Sequence, residues 1–473
     1  MSTPLSTTTG STSFDRGTLE GLSPNLGDVV TPHSPNYDEA RAIWNGMIDR
    51  RPALIVRCRT ASDVARSVRF ARDRDLVLAV RGGGHNIAGN AMVDGGLVID
   101  LSPMKSVVMD PERRVARVEP GVTLGEFDRK AQEHGLATPT GINSTTGIAG
   151  LTLGGGFGWL TRKYGLTIDS LISADVVTAE GLLITASERE NADLFWAIRG
   201  GGGNFGVVTS FEFRLHPVGP QVLAGLIVHP FDGAGETLRR YRDVVNGAPD
   251  ELTAWVVLRK APPLPFLAPS VHGREVMVIA ALYAGDPAEG ARAFAPLRAI
   301  GRPHADVIAP QPYTGFQSAF DPLLAPGARN YWKSHNFAAL SDGLIDTMVD
   351  AARGLPGFGC EIFLTQMGGK AKRIPLGSTA YAQRDIDFSM NVHARWTDAA
   401  QDRECIAWAR DVYAATAPFA TGGVYVNFMT GDETERVGAA YGINYDRIRA
   451  VKRKYDPTNL FRMNQNIRPS PAE

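Results

Sequence analysis

Three glycine clusters crowd the stretch from residue 81 to residue 206: Arg81-Gly-Gly-Gly-His85, Gly150-Leu-Thr-Leu-Gly-Gly-Gly-Phe-Gly158 and Gly200-Gly-Gly-Gly-Asn-Phe-Gly206. Glycine loses more conformational freedom on folding than any other residue, so runs of it inside a domain must answer a need. Residues without a Cβ let main-chain N–H groups converge on an anion, and the first cluster directly follows an apolar, strand-like run. It reads as a pyrophosphate cradle. The other two would give one extended ligand further places of close backbone approach, and a dinucleotide has that length. Glycine makes up 51 of 473 residues, about 11% against a usual ~7%, so the clusters account for much of the excess.

A Rossmann-type NAD site is the competing reading. Gly201-Gly-Gly-Asn-Phe-Gly206 satisfies the string G-x-G-x-x-G, yet it follows a helical pattern and leads into a strand, the reverse of the context that motif requires. NAD is rejected on that ground. The 49 basic and 50 acidic residues nearly cancel, so no overall field attracts nucleic acid or an anionic membrane. Cys58, Cys360 and Cys405 stand far apart, which suggests neither a disulfide framework nor a zinc site, and no metal is expected. No run of about 18 apolar residues occurs and the first residues lack a leader pattern, so the expected location is the cytoplasm.

Residues 1–35, rich in Ser, Thr, Pro and Gly, read as a loose N-terminal arm. Up to about 219, strands (53–57, 76–80, 97–101, 210–215) alternate with helices (62–73, one opened by the capping box Thr123-Leu-Gly-Glu126 and ended by Gly135, one capped by Asn191). Beyond 220 the grammar changes to long strands (252–258, 276–283, 361–367, 388–396) separated by long helices (236–245, 288–299, 398–415), the pattern of a sheet with helices on one face. Segments 261–269 and 303–330 read as loops. A short strand at 424–429 and a helix at 441–455, stopped by Asp456-Pro457, close the chain.

The motifs Arg81 to Gly89, Leu153 to Trp159 with Lys163-Tyr-Gly165, Trp196 to Gly206, and Lys454 to Phe461 with Asn464-Gln-Asn-Ile467 together resemble the berberine bridge enzyme-like branch of the FAD-linked oxidases, in the vanillyl alcohol oxidase superfamily. The bacterial subset containing 6-hydroxy-D-nicotine oxidase and an enterocin-pathway flavoenzyme is most similar, the second through Tyr37-Asp-Glu-Ala-Arg and Trp44-Asn-Gly. The resemblance implies an α+β, two-domain fold: a PCMH-type FAD-binding domain over 36–219, an antiparallel-sheet substrate domain over 220–430, and a segment 431–468 returning to the first. It implies FAD joined covalently to His85 through the 8α-methyl carbon, a bond that requires a neutral imidazole with a free lone pair. Around it, the cofactor-binding set is Arg81, Gly82, Gly83, Gly84, Asn86, Gly89, Asn143, Thr145, Thr146, Gly147, Gly150, Gly154, Gly155, Gly156, Val177, Gly202, Gly206, Val207, Tyr455, Asn464 and Asn466.

Two departures from the family pattern matter. Many relatives carry a second flavin link through cysteine, where this chain has Asn143, so a single attachment is expected. The family's catalytic tyrosine in Tyr-x-Asn-Tyr is replaced by Phe428, and Tyr425, on a strand, would face the opposite way. The base is therefore sought on the substrate-domain strands. Glu361, between apolar neighbours, would have a raised pKa suited to that work, and His393 is the weaker option. Thr146 falls where a residue stands near the reacting edge of the flavin and could influence the approach of oxygen. Tyr331 and Trp332 could wall a substrate ring, with core packing the expected place of Trp332. The expected activity is oxidation of a small aromatic, polyketide-like or heterocyclic metabolite of secondary metabolism with O2 as acceptor. The alternative is monooxygenase-like oxygen transfer to a natural-product intermediate.

Overall fold

The computed structural model describes residues 27–471. Most of the expected arm lies outside them, and within them Asp28–Val30 is already a strand, paired antiparallel with Leu54–Arg57. The small sheet it joins continues in parallel through Leu97–Asp100 to Leu78–Arg81. Against it packs the helix Ala61–Asp73, whose Val64, Val68 and Ala71 are fully buried. Thr60 and Asp63 close that helix with a capping box, as Thr123 and Glu126 do for Leu124–Gln132. Asn191 behaves differently from expectation. It takes a left-handed backbone conformation, caps nothing, and its amide donates to Thr185 O at 2.7 Å. A second, five-stranded antiparallel sheet, with Val207–Arg214 at its centre, completes the first half.

The second half is built on one eight-stranded antiparallel sheet. Alternation along the strands divides its faces. Leu252, Ala254, Val256 and Leu258 join Met390, Val392 and Ala394 in a core covered by the helices Ala234–Asn246, Asp342–Ala352 and Asp402–Thr416. The intervening residues Trp255, Val257, Arg259, Asn391 and His393 face a cavity. Helices thus sit on one face and the ligand space on the other. Gln221–Pro230 and Arg329–Phe337 are long strands of this sheet that sequence patterning missed, because glycine interrupts the first and polar residues populate both faces of the second. The stretch 303–330, expected as loop, contains two short strands, the helix Tyr313–Gln317 and the 3-10 turn Asp321–Leu324.

Two corrections fall near the C-terminus. The expected strand at 424–429 is a 3-10 turn, Val426–Phe428, and the single helix at 441–455 is two, Val437–Tyr441 and Tyr445–Tyr455. The last helix returns to the first half through a fully buried pair: Lys452 Nζ donates to Asp456 Oδ2 at 2.6 Å and to the carbonyls of Asn204 and Phe461.

Where Tyr313–Gln317 meets Leu124–Gln132, Asp128 is buried and accepts from Gln317 Nε2 at 2.9 Å. Burial dominates and raises its pKa from 3.8 to about 7. The folded state then holds a proton that the unfolded chain releases, so stability declines as pH rises from about 4 to 7 and levels off above. The thermal midpoint should drop by roughly 2–5 °C over that window, and Asp128→Asn should flatten the dependence in a scanning-calorimetry series. An equal slope in the variant would assign it to other groups.

Candidate active site

A cavity of about 400 Å³ runs between the glycine clusters and the exposed face of the large sheet. Gly82, Gly83, Gly84, His85, Asn86, Asn143, Thr146, Gly147, Gly150, Gly202, Gly206, Val207 and Asn464 line it, as do Glu361 and His393. Arg81, Gly89, Thr145, Gly154, Gly155, Gly156, Val177, Tyr455 and Asn466 do not.

The glycines divide by task. A Cβ on Gly83 would lie 2.4 Å from Gly147 N, so these two let the strand-end loop and the 141–147 loop touch. One on Gly154 would strike the Asn427 side chain at 2.2 Å, admitting the C-terminal turn. By contrast, a Cβ on Gly150 or Gly203 would meet nothing within 4 Å, so main chain there borders open space. All three clusters border the cavity, and several of their glycines also serve close backbone packing.

His85 is partly buried, and the desolvation of its ring pushes its pKa down to about 4, leaving it neutral at neutral pH. Trp44 stacks on it with centroids 5.2 Å apart and planes 22° off parallel. Thr145 and Thr146 place hydroxyls 3.0 Å from Nε2 and 3.4 Å from Nδ1.

At the sheet end of the cavity, Glu361 and His393 are cross-strand partners. Glu361 Oε1 is 3.4 Å from His393 Nδ1, and Oε2 is 2.9 Å from Arg259 Nη1. The expected raised pKa is not found. Burial does oppose ionisation, but the charges of Arg259 and Arg395 and the His393 contact outweigh it and hold the carboxyl below its usual range. Burial lowers the pKa of His393, against the pull of Glu361, so the imidazole is neutral. Asn330 fixes its own amide by donating to Ala328 O at 2.7 Å, and presents Oδ1 to His393 Nε2 at 3.3 Å.

The aromatic wall also differs from expectation. Trp332 faces the cavity, edge-on to His393 at 4.7 Å, while Tyr331 turns into the core and donates to Asp432 at 2.6 Å. Because 424–429 is not a strand, Tyr425 and Phe428 both reach the cavity, with rings 4.9 Å apart. The Tyr425 hydroxyl oxygen accepts from Gly156 N–H and Asn427 Nδ2, and burial raises its pKa to about 12, so it remains a protonated donor. Sequence reasoning set Tyr425 aside as facing away and missed Asn330 and Arg259; Arg259 alternates with Trp255 and Val257, a signal that was available.

A family model described as "FAD binding domain" matches residues 52–187, and one described as "Berberine and berberine like" matches 424–468. The (R)-6-hydroxynicotine oxidase of Paenarthrobacter nicotinovorans is 34% identical over 94% of this chain and 97% of its own. The chain is a berberine bridge enzyme-like FAD-linked oxidoreductase. An uncharacterised FAD-linked oxidoreductase of Bacillus subtilis, YgaK, is 32% identical over 94% of the enzyme and 97% of its own length. The crystal structure of 6-hydroxy-D-nicotine oxidase from Arthrobacter nicotinovorans matches it with a TM-score of 0.84 at 33% identity, covering 94% of the enzyme and 98% of that chain.

The cavity fits FAD. Main chain at Gly150 and Gly203 opens onto it without obstruction, and Asn464, on its wall, has a buried Oδ1 with no hydrogen-bond partner. A buried acceptor left unpaired costs about 1–3 kcal/mol, which a donor on the cofactor would recover. No helix among the described residues is long and apolar enough to cross a membrane.

Proposed function

We propose that the enzyme oxidises a largely apolar, aromatic, polyketide-like or heterocyclic metabolite, passing the electrons through a singly attached FAD to O2 with release of hydrogen peroxide. The observation that carries this reading is the wall of the cavity. Leu226, Val228, Val257, Val276, Val278 and Ala280 make the sheet face apolar, and the polar groups gather at one end around Glu361, His393 and Asn391. A sugar laid on that face would leave hydroxyls without partners, whereas an aromatic ring would gain about 25 cal/mol for each Å² buried. At the polar end, Trp332 Nε1 and Asn391 Oδ1 are buried and unpaired, one donor and one acceptor for a substrate heteroatom. The nicotine-oxidising relative, named for a hydroxylated heterocycle, agrees with this substrate class.

FAD supplies the two-electron acceptor. His85 would hold it covalently at the 8α-methyl carbon through a ring nitrogen with a free lone pair; exchanging a C–H for a C–N bond is a two-electron oxidation, for which dioxygen would be the oxidant and solvent would take the proton. Gly82–Gly84, Asn86, Gly147, Gly150, Gly202 and Asn464, which line the cavity, would bind it, and Thr146 would stand beside it. Glu361 and His393 would take the substrate's proton together. A neutral imidazole can donate to Glu361 Oε1 or to Asn330 Oδ1, never to both; with a second proton it satisfies both acceptors. The pair is arranged to gain a proton as hydride leaves the substrate.

A peroxide-coupled screen of phenols, polyketides, sugars and heterocyclic amines tests this. The expected result is peroxide equal to product with aromatic or heterocyclic compounds and none with sugars. Oxygen from O2 found in the product would replace the oxidase reading by oxygen transfer, and turnover of sugars alone would overturn the substrate class.

A further inference from the structure

The loop facing His85 is tied down from both sides, and those ties determine which imidazole nitrogen is free. Asn143 Oδ1 accepts from the Thr145 backbone N–H at 3.1 Å and from the Thr145 hydroxyl at 2.7 Å. A hydroxyl has one hydrogen. With it given to Asn143, Thr145 Oγ1 can only accept at its 3.0 Å contact with His85 Nε2, so the ring's single proton lies on Nε2 and the lone pair on Nδ1. Nδ1 is the nitrogen next to Thr146, whose Oγ1 at 3.4 Å is at the outer limit of a hydrogen bond. Thr146 lines the cavity and Thr145 does not, so the free lone pair is on the cavity side.

Between Asn143 and Thr145, Ser144 is clamped by the other half of the molecule. Its N–H donates to Asp321 Oδ1 at 2.9 Å and its hydroxyl to Asp321 Oδ2. From the opposite side, Gly125 N–H and Leu124 N–H donate to the carbonyls of Ser144 and Thr146 at 2.8 and 2.9 Å. The segment carrying Asp321 also fixes the ring stacked on His85, because Trp44 Nε1 donates to Leu324 O at 2.8 Å.

We propose that Asn143 and Thr145, with their loop anchored by Asp321, are positioning residues that set the His85 tautomer and keep its Nδ1 lone pair facing the cavity. Asn143 thereby has its own task at the position where relatives carry a second attachment. The inference rests on the reading that His85 carries the flavin. It concerns the order of three side chains, so it can fail while that reading stands.

The test uses purified holoenzyme, precipitated with acid, with flavin measured in pellet and supernatant. Wild type and Thr145→Ser, which keeps the hydroxyl, should hold the flavin in the pellet. Thr145→Val, close in shape and unable to accept from Nε2, should lose at least tenfold of the attached fraction with total bound flavin and thermal midpoint near wild type. Asp321→Ala should lose about threefold or more, and Asp321→Asn less. Wild-type attachment with equal attachment in Thr145→Val overturns the inference alone. Wild-type flavin in the supernatant overturns the attachment reading and the inference with it.

Discussion

His85→Ala is expected to turn a yellow protein whose colour survives acid or detergent into one whose colour washes away completely. The size of the effect follows from the surroundings. The wild-type imidazole is neutral because burial holds its pKa near 4, so the nucleophilic form is present throughout the range in which the enzyme can be handled. No second tether is available, since the residue in the position of the family's cysteine is Asn143, whose amide is not a nucleophile. The rest of the cradle is untouched by the substitution: Gly83 still abuts Gly147, and Gly150 and Gly203 still border open space. The variant should therefore bind FAD reversibly and fold, losing the stacking with Trp44, worth about 0.5–1.5 kcal/mol. Intact mass should separate the forms, with wild type expected to carry an adduct the size of FAD and the variant none. An adduct that persists in His85→Ala would exclude His85 as the attachment point.

Much of this arrangement was legible in the sequence, and the failures share physical causes. The capping box at Thr123 and the strands near 252–258, 276–283 and 388–396 follow from local rules, namely side-chain hydrogen bonding to a helix N-terminus and two-residue alternation. Arg329–Phe337 was missed because alternation marks a strand only when one face is dry. Here Trp332 borders the cavity and Asn330 contacts His393 on the same side, while Lys333 and His335 are buried among polar partners. Val424 to Met429 was misread for the opposite reason. Gly154 leaves room for the Asn427 side chain, Phe157 packs against Tyr425 and Phe428, and these tertiary contacts override the strand-like pattern. Glu361 was placed correctly in the sequence and wrongly in its chemistry. Its partners Arg259, His393 and Arg395 come from two other strands, and no local spacing reveals cross-strand register.

That register decides the second large effect. Glu361→Gln should slow anaerobic flavin reduction by about 100-fold or more, the usual range for loss of a general base. Glutamine preserves volume and can still touch Arg259 and His393, yet it carries no charge, so the proton received by His393 would create an uncompensated buried cation instead of completing an ion pair. His393→Gln should be slow for the complementary reason, because a lone Glu361 held ionised by Arg259 and Arg395 is a weak base with nowhere to pass the proton. In wild type both groups must begin deprotonated, and both have pKa values below their ordinary ones. The acid limb of the reduction rate should therefore fall below pH 6.5, with activity full above it and lost as pH drops. Stopped-flow reduction across pH, with the flavin content of each variant matched, reads both effects. A Glu361→Gln enzyme reduced at the wild-type rate would remove this carboxylate from the chemistry and leave it only the role of neutralising Arg259.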